Sequence, residues 1–326
     1  VILTGGGYFL ATPIMRFMGA APDVLPDAAR FLEITFLGFI FVFTFLAFQA
    51  LMRGLGVVTM PMLIVLTAVI LNYVLNRVFI FGVGPIPAMG VAGSAMATLV
   101  TQALATFLAA LVLIRGGYGL RLRLRDFRPD FPLMRRIFRL GLPASVEQST
   151  RALGMTVMTL LVSTFGTVAQ ATYGVGVRIV LCVLIPAMGM SMATSTLVGQ
   201  NLGAGRLDRA ERTTWIGCLI AIGLLLVAGA ILFATARPFA AFFMPEGGEA
   251  IDEVARFIRI LAFAFWLIGV QQVLMGTFRG AGDTVAPAVL AIVSLWVIQF
   301  PLAYVLSKHT RLGLTGIWWS FTATNI

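Results

Sequence analysis

Between Arg139 and Arg178 the chain carries only two charged side chains, Glu147 and Arg151, in the run Leu142-Pro143-Ala144-Ser145-Val146-Glu147-Gln148-Ser149-Thr150-Arg151. A carboxylate isolated in an apolar helix can take up and release a proton or ligate a cation. Charge in such a place is costly and marks function or a fixed ion pair. Glu147 and Arg151 are i, i+4 and share a helix face, so they can pair. Two readings stay open: a permanent structural pair, or a coupling acid whose pair is broken by protonation or substrate. Arg178, in Gly174-Val175-Gly176-Val177-Arg178, adds a second buried-depth cation, and with Gln148 and Gln271 it is a candidate for lining a substrate cavity. Its alternative role is to tie up helix carbonyls near the glycines.

A second polar constellation is Asn72 and Asn76, again i, i+4 on one face. Their amides can ligate a cation or hydrogen-bond a neighbour, but cannot exchange a proton. The alternative is interhelical hydrogen bonding without an ion. Nucleophilic or metal chemistry is not supported. Cys182 and Cys218 have no metal-ligand spacing, and His309 stands alone. An enzyme would need a nucleophile with a base, or a metal cluster.

These residues sit in a chain of 326 residues that is 60% apolar and 11% charged, with mean hydropathy +0.99. A soluble domain has about 25% charged residues. The composition predicts an all-α integral membrane protein and excludes disorder. A barrel would show short alternating segments instead of long apolar runs. The net charge of +10 belongs to membrane orientation and not to nucleic acid, because the arginines gather in short loops.

The predicted spans are 1–18, 31–51, 59–81, 90–114, 141–165, 172–198, 213–236, 255–278, 284–306 and 313–326, the first and last cut. Alternate loops hold Arg53, the basic segment 115–140, Arg206 with Arg209 and Arg212, and Arg279. This richer set is expected to face the cytoplasm. Phe131–Leu140 reads either as a short interfacial helix or as plain connecting loop.

An internal repeat organises the whole. Ala29-Arg30-Phe31 recurs as Ala255-Arg256-Phe257, Arg53-Gly54-Leu55-Gly56 as Arg279-Gly280-Ala281-Gly282, and Pro61 as Pro287, all at an offset of 226 in the sequence. Gly90-Val91-Ala92-Gly93 matches Gly313-Leu314-Thr315-Gly316 at 223. A unit of six spans preserves orientation, so two six-helix lobes related by an axis along the membrane normal are expected. The chain starts inside an apolar run, so it is read as a fragment lacking helices 1–2 and parts of 3 and 12 of twelve. The expected divisions are an N-terminal lobe at 1–114, a basic cytoplasmic linker at 115–140 and a C-terminal lobe at 141–326. The architecture alone reaches "two-lobed transporter".

Val198-Gly199-Gln200-Asn201-Leu202-Gly203-Ala204-Gly205, the doubled Arg-Gly-x-Gly followed by Pro, Gly141-Leu142-Pro143, and the run from Gly90 to Thr98 together resemble the multidrug and toxic compound extrusion (MATE) family, in particular its DinF-like branch. The resemblance implies a secondary antiporter of a prokaryotic cytoplasmic membrane. It would export small organic, cationic compounds in exchange for H+ or Na+, as a monomer and without a cofactor. A flippase for lipid-linked precursors, or an exporter of an anionic metabolite, is the alternative. The resemblance also makes Asn72, Asn76 and Thr98 an ion site, with Asn76 standing where the family often has Asp. Glu147 joins them as an ion-coupling candidate. The loop motif comprises Gly199, Gln200, Asn201 and Gly203 with Arg53, Gly54, Arg279 and Gly280, for which turn-forming and gating roles are both open.

Overall fold

A computed structural model describes residues 2–17, 24–84, 87–121, 129–243 and 249–325. Its regular elements are helices: α1 (Ile2–Phe17), α2 (Leu25–Gly54), α3 (Thr59–Phe81), α4 (Gly90–Arg115), α5 (Phe131–Ser163), α6 (Thr167–Gly203), α7 (Leu207–Ala234), α8 (Ala236–Phe243), α9 (Glu249–Ala262), α10 (Phe265–Gly280), α11 (Val285–Ile292), α12 (Phe300–Lys308) and α13 (Leu314–Thr324). A π-helical segment, Val293–Gln299, joins α11 to α12. Among the described residues, six helices, counting Val285–Lys308 as one, are long and apolar enough to span a membrane, and the α9–α10 pair makes up to seven. Helices of 23 to 37 residues at about 1.5 Å per residue exceed the ~30 Å hydrocarbon core. Their outward side chains, such as Val69, Ile70, Leu219 and Val227, are exposed and apolar, as a lipid-facing surface requires.

Two compact units result, Val1–Arg128 and Pro129–Ile326. The second begins earlier than expected. Asp130 caps α5, its carboxylate accepting from the Leu133 amide at 3.0 Å, and Pro132 occupies the first turn. The basic stretch Phe131–Leu140 is thus the opening of the helix that carries Glu147, and not a separate interfacial helix or a loop. Residues 122–128 of the predicted linker lie outside the described residues.

In unit 1, α4 presents Gly93, Ala97, Thr101, Ala105 and Ala109 at every fourth position, a small-residue stripe that lets α2 and α3 approach. A Cβ on Gly93 would lie 2.4 Å from the Phe79 carbonyl oxygen. In unit 2, Gly316 meets the Leu306 carbonyl in the same way, at 2.6 Å. Gly90 and Gly313 open the two helices with φ of 55° and 53°. The repeated Gly-x-x-Gly therefore performs one job twice: it turns the chain and seats a helix against the end of its predecessor. The core of unit 2 gathers Tyr173, Ile179, Phe257, Phe265 and Trp318, with Phe257 stacked on Trp318 at 3.9 Å between centroids.

The doubled Arg-Gly-x-Gly is a helix-ending turn in both units. The Gly56 amide donates to the Arg53 carbonyl and the Val57 amide to the Met52 carbonyl. The Gly282 amide donates to Arg279 and the Asp283 amide to Phe278 in the same register. This is the Schellman pattern, with glycine at φ 77° and 83°. The Gln-Asn loop repeats it a third time: Gly205 donates to Leu202, Arg206 donates to Asn201, and Gly205 has φ 71°. A Cβ at Gly282 would meet nothing within 4 Å. Gly282→Ala should therefore cost only the left-handed backbone penalty, about 1 kcal/mol. Thermal unfolding in detergent measures it, and a loss of several kcal/mol would mean the turn is packed more tightly.

Two predicted spans are not simple rods. Residues 255–278 break at Phe263–Ala264, where the helices bend by 48°. Residues 284–306 contain the π segment ahead of Pro301, whose missing amide proton disturbs the α-helical ladder there.

Candidate functional site

Glu147 lies on α5, sixteen residues from the helix start and so about 24 Å along it. Its side chain is 1% exposed. One guanidinium nitrogen of Arg279, Nη2, donates to both of its oxygens, Oε1 at 2.8 Å and Oε2 at 2.9 Å. Arg151 Nη2 donates to Oε1 at 3.3 Å. The i, i+4 pair read from the sequence exists, but it is the longer of the two contacts. The closer partner is Arg279, expected only in a surface turn. The repeat places Arg279 in a turn, and no local signal reveals its reach across 132 positions to α5. A buried acid without a near acid or base on its own helix, beyond one arginine, was the available signal that a partner must come from elsewhere.

The turn aims Arg279 by ending α10 one residue beyond it. Packing of α10 on α6 sets the distance. Gly276 and Gly280 on α10 face Ser191, Ser195 and Gly199 on α6. A Cβ at Gly276 would stand 2.3 Å from the Ser191 carbonyl oxygen, and one at Gly280 would stand 2.5 Å from that of Ser195. A Cβ at Gly199 would stand 3.2 Å from the Gly280 carbonyl oxygen. Small residues four apart on both helices allow this contact. Two parts of the loop motif, Gly199 and Gly280, thus meet and hold the arginine over the carboxylate. Asn201 donates to the Leu197 carbonyl at 2.8 Å, and Gly203 is the last residue of α6. Gln200 and Gly54 lie in the corresponding helix ends.

Beside the ion cluster is a cavity of about 70 Å³. Glu147, Gln148, Arg151, Ser191, Gln272 and Arg279 give it its polar lining, and Leu184, Met188 and Met192 of α6 complete it. The Ser191 hydroxyl is buried in this lining without a hydrogen-bond partner among the described residues. A polar cavity of this size has room for water between the charges. Gln272, buried and on the cavity, takes the place expected of Gln271, which is only half-buried and does not line it. Arg178 is exposed on α6 and lines none of the described cavities.

In unit 1, Asn76 Nδ2 donates to Asn72 Oδ1 at 2.8 Å and to the Asn72 carbonyl at 3.0 Å. Asn72 Nδ2 donates to Thr101 Oγ1 at 3.3 Å. The asparagine pair is joined to α4 through Thr101 and not Thr98, which is exposed and donates back to the Ser94 carbonyl at 3.1 Å. Thr101 is three residues further along α4, nearly one turn, and buried at 3%. Thr101→Val should loosen α3 from α4 by about 0.6 kcal/mol, a typical worth for such a bond within a membrane. A double-mutant cycle with Asn72→Ala measures it, and additive effects would show that the bond carries no coupling. Arg53, the repeat partner of Arg279, donates to Gln49 on its own helix at 3.3 Å. His309 is exposed, edge-on to Tyr304. No three His, Cys, Asp or Glu side chains converge among the described residues.

Comparison with known proteins follows the same lines. The MatE family profile matches residues 1–78 and 143–305. The chain is 28% identical over 332 residues to the probable multidrug resistance protein YoeA of Bacillus subtilis, covering 99% of this chain and 70% of that protein. It is 30% identical over 317 residues to the probable multidrug resistance protein NorM of Pseudomonas aeruginosa, covering 94% and 64%. Among solved structures, a crystal structure of MATE in the bent conformation superposes with a TM-score of 0.91 at 25% identity, over 99% of this chain and 71% of that one. A MOP superfamily transporter from Pyrococcus furiosus, described as having a binding pocket of reverse polarity that suggests a different function, superposes with a TM-score of 0.89 at 25% identity, over 99% and 72%.

Proposed function

The chain belongs to the MATE family, and from that premise we propose that it exports toxic organic compounds in exchange for H+ by alternating access. It is a multi-pass protein of the cell membrane and a transporter, not an enzyme. The observation that carries the proposal is the buried carboxylate of Glu147 held by two arginines beside a polar cavity.

Both carboxylate oxygens already accept N–H donors, and two guanidinium charges surround them. A sodium ion entering would have to displace an arginine and withstand the repulsion of the other. A proton needs no such space. Protonating Glu147 removes the negative charge that holds Arg279, and Arg279 stands at the last turn of α10. Proton binding then favours one of two arrangements of this turn, and substrate binding at Gln148, Arg151 and Gln272, which requires the small cavity there to open, favours the other. Two ligands biasing one equilibrium in opposite directions constitute antiport. The asparagine–threonine chain in unit 1, which has carbonyl oxygens but no acid, is where a sodium ion would be held instead.

The relatives named for multidrug resistance support organic, often cationic, substrates. A specific observation favours a second reading: one carboxylate and two arginines leave the described cavity positive, which suits an anionic metabolite. The test is reconstitution of the full-length protein in liposomes. Dye efflux is measured under an imposed pH gradient, then under a Na+ gradient. Efflux driven by the pH gradient supports the proposal. Efflux that follows only Na+ moves coupling to unit 1. Indifference to both gradients, with uptake of an anionic probe, would replace it with the second reading.

A further inference from the structure

Unit 2 has a second built feature, on the face formed by α7, α8 and α9. Along α7 and into α8, Leu226, Ala230, Phe233 and Arg237 fall at i, i+4, i+7 and i+11, one helical stripe. On α9, Asp252, Arg256 and Arg259 repeat that spacing, and Phe263 follows in the break just beyond the helix. The two stripes face each other and line two open clefts that meet at Phe263. The first, about 310 Å³, is apolar, walled by Leu226, Ala230, Phe233, Phe263 and Trp266 and floored where Gly229 meets the Ala262 carbonyl. The second, about 350 Å³, is charged, with Arg237, Asp252, Arg256 and Arg259. Both walls therefore change from charged to apolar at one level.

The charges do not cancel among the described residues. Arg237 pairs with Asp252 at 3.3 Å. Arg256 pairs at 3.5 Å with Glu253, whose other oxygen accepts from the Trp318 indole at 2.9 Å. Arg259 has no carboxylate partner among the described residues and lies over the Phe233 ring at 5.9 Å. Its cation thus sits where the apolar cleft begins. From Phe233 down to Leu226 is about 10 Å of helix. Exposed Phe263 lines both clefts and marks the level at which charged wall gives way to apolar wall. A soluble anion would use the arginine and leave the apolar cleft empty. A neutral amphiphile would leave the cation uncompensated.

We propose that this groove binds an anionic phospholipid, its phosphate at Arg259 and one acyl chain in the cleft beside Trp266. The role would be a lipid dependence of unit 2, separate from the Glu147 site.

Trp266 is a reporter within the cleft. Full-length protein, as wild type and as Trp266→Phe, is placed in phosphatidylcholine vesicles containing a small fraction of brominated phosphatidylglycerol or brominated phosphatidylcholine. The difference between the two proteins isolates quenching of Trp266. Brominated phosphatidylglycerol should be preferred about fivefold, the worth of one arginine near anionic lipid. Arg259→Gln should abolish the preference, and Arg259→Lys should retain most of it. If Arg259→Gln fails to fold, Leu226→Phe, which fills the cleft without adding a fluorophore of that class, should also remove Trp266 quenching. Equal quenching by the two lipids would overturn the proposal, leaving only ordinary surrounding lipid. Displacement of the brominated lipid by inorganic phosphate or glycerol phosphate would also overturn it, by assigning the arginine to a free anion.

Discussion

A Glu147→Gln variant is expected to reach the membrane and to lose pH-driven efflux by about tenfold or more, a barrier change of roughly 1.4 kcal/mol or above. The amide keeps the shape of the carboxylate and can accept from Arg279 through one oxygen. It cannot balance two guanidinium charges, and it cannot exchange a proton. Removing one partner of a buried pair costs about 3–5 kcal/mol, and less here because both arginines are one-third exposed. Stability and coupling must therefore be read separately. Thermal unfolding gives the first. The second is the ratio of efflux with and without the pH gradient. A structural strut would lower the melting temperature and leave that ratio intact, whereas a coupling acid would drive it to one. Wild-type dependence on the gradient in the variant would overturn the assignment and move the proton site elsewhere.

Gly276→Val should have the larger effect on folding. Its Cβ would stand 2.3 Å from the Ser191 carbonyl oxygen and 2.9 Å from the Ser191 hydroxyl, both in the α6–α10 contact. Backbone cannot swing aside as a side chain can, so the two helices must separate. Overpacking of this kind costs about 1–3 kcal/mol, occasionally more. Separation would also draw Arg279 from Glu147, so export should fall together with yield of folded protein. Gly276→Ala, with one carbon, should be milder but still measurable. The check is monodispersity and melting temperature in detergent, followed by efflux from the variant that survives. If Gly276→Val unfolds at the wild-type temperature, the tight α6–α10 approach is not what positions the cluster.

Fold and site were legible to different depths, for physical reasons. Long apolar runs and a fixed offset expose the spans and the duplication, because hydrophobicity and glycine turns act locally. The start of α5 was missed because Arg135, Arg136 and Arg139 resemble loop residues. They occupy one end of a helix that begins at the Asp130 cap. The break near Phe263 and the π segment near Pro301 involve tertiary packing or a shift of one hydrogen bond, which apolar periodicity does not register. In the site, Glu147 with Arg151 was readable because i, i+4 is local geometry. Arg279 was not, since its distance from Glu147 depends on glycines packing against the backbone of another helix. That Thr101 and not Thr98 bonds Asn72, and that Gln272 and not Gln271 lines the cavity, is a matter of helical phase: one or three residues decide which side of a helix faces its neighbour.

The paired turns carry a consequence for how the molecule tolerates change. What recurs at the fixed offset is backbone: Gly56 with Gly282, Pro61 with Pro287, and, at the shorter spacing, Gly93 with Gly316. What fails to recur is the company the side chains keep, since Arg53 holds its own helix and Arg279 clasps a distant acid. The turn glycines meet the same backbone demand in both halves, whereas the arginine's distant partner belongs to one half alone. A saturation scan of fitness should therefore show an echo: intolerance at the turn glycines of one half returning in the other, with silence at the position that answers Arg279.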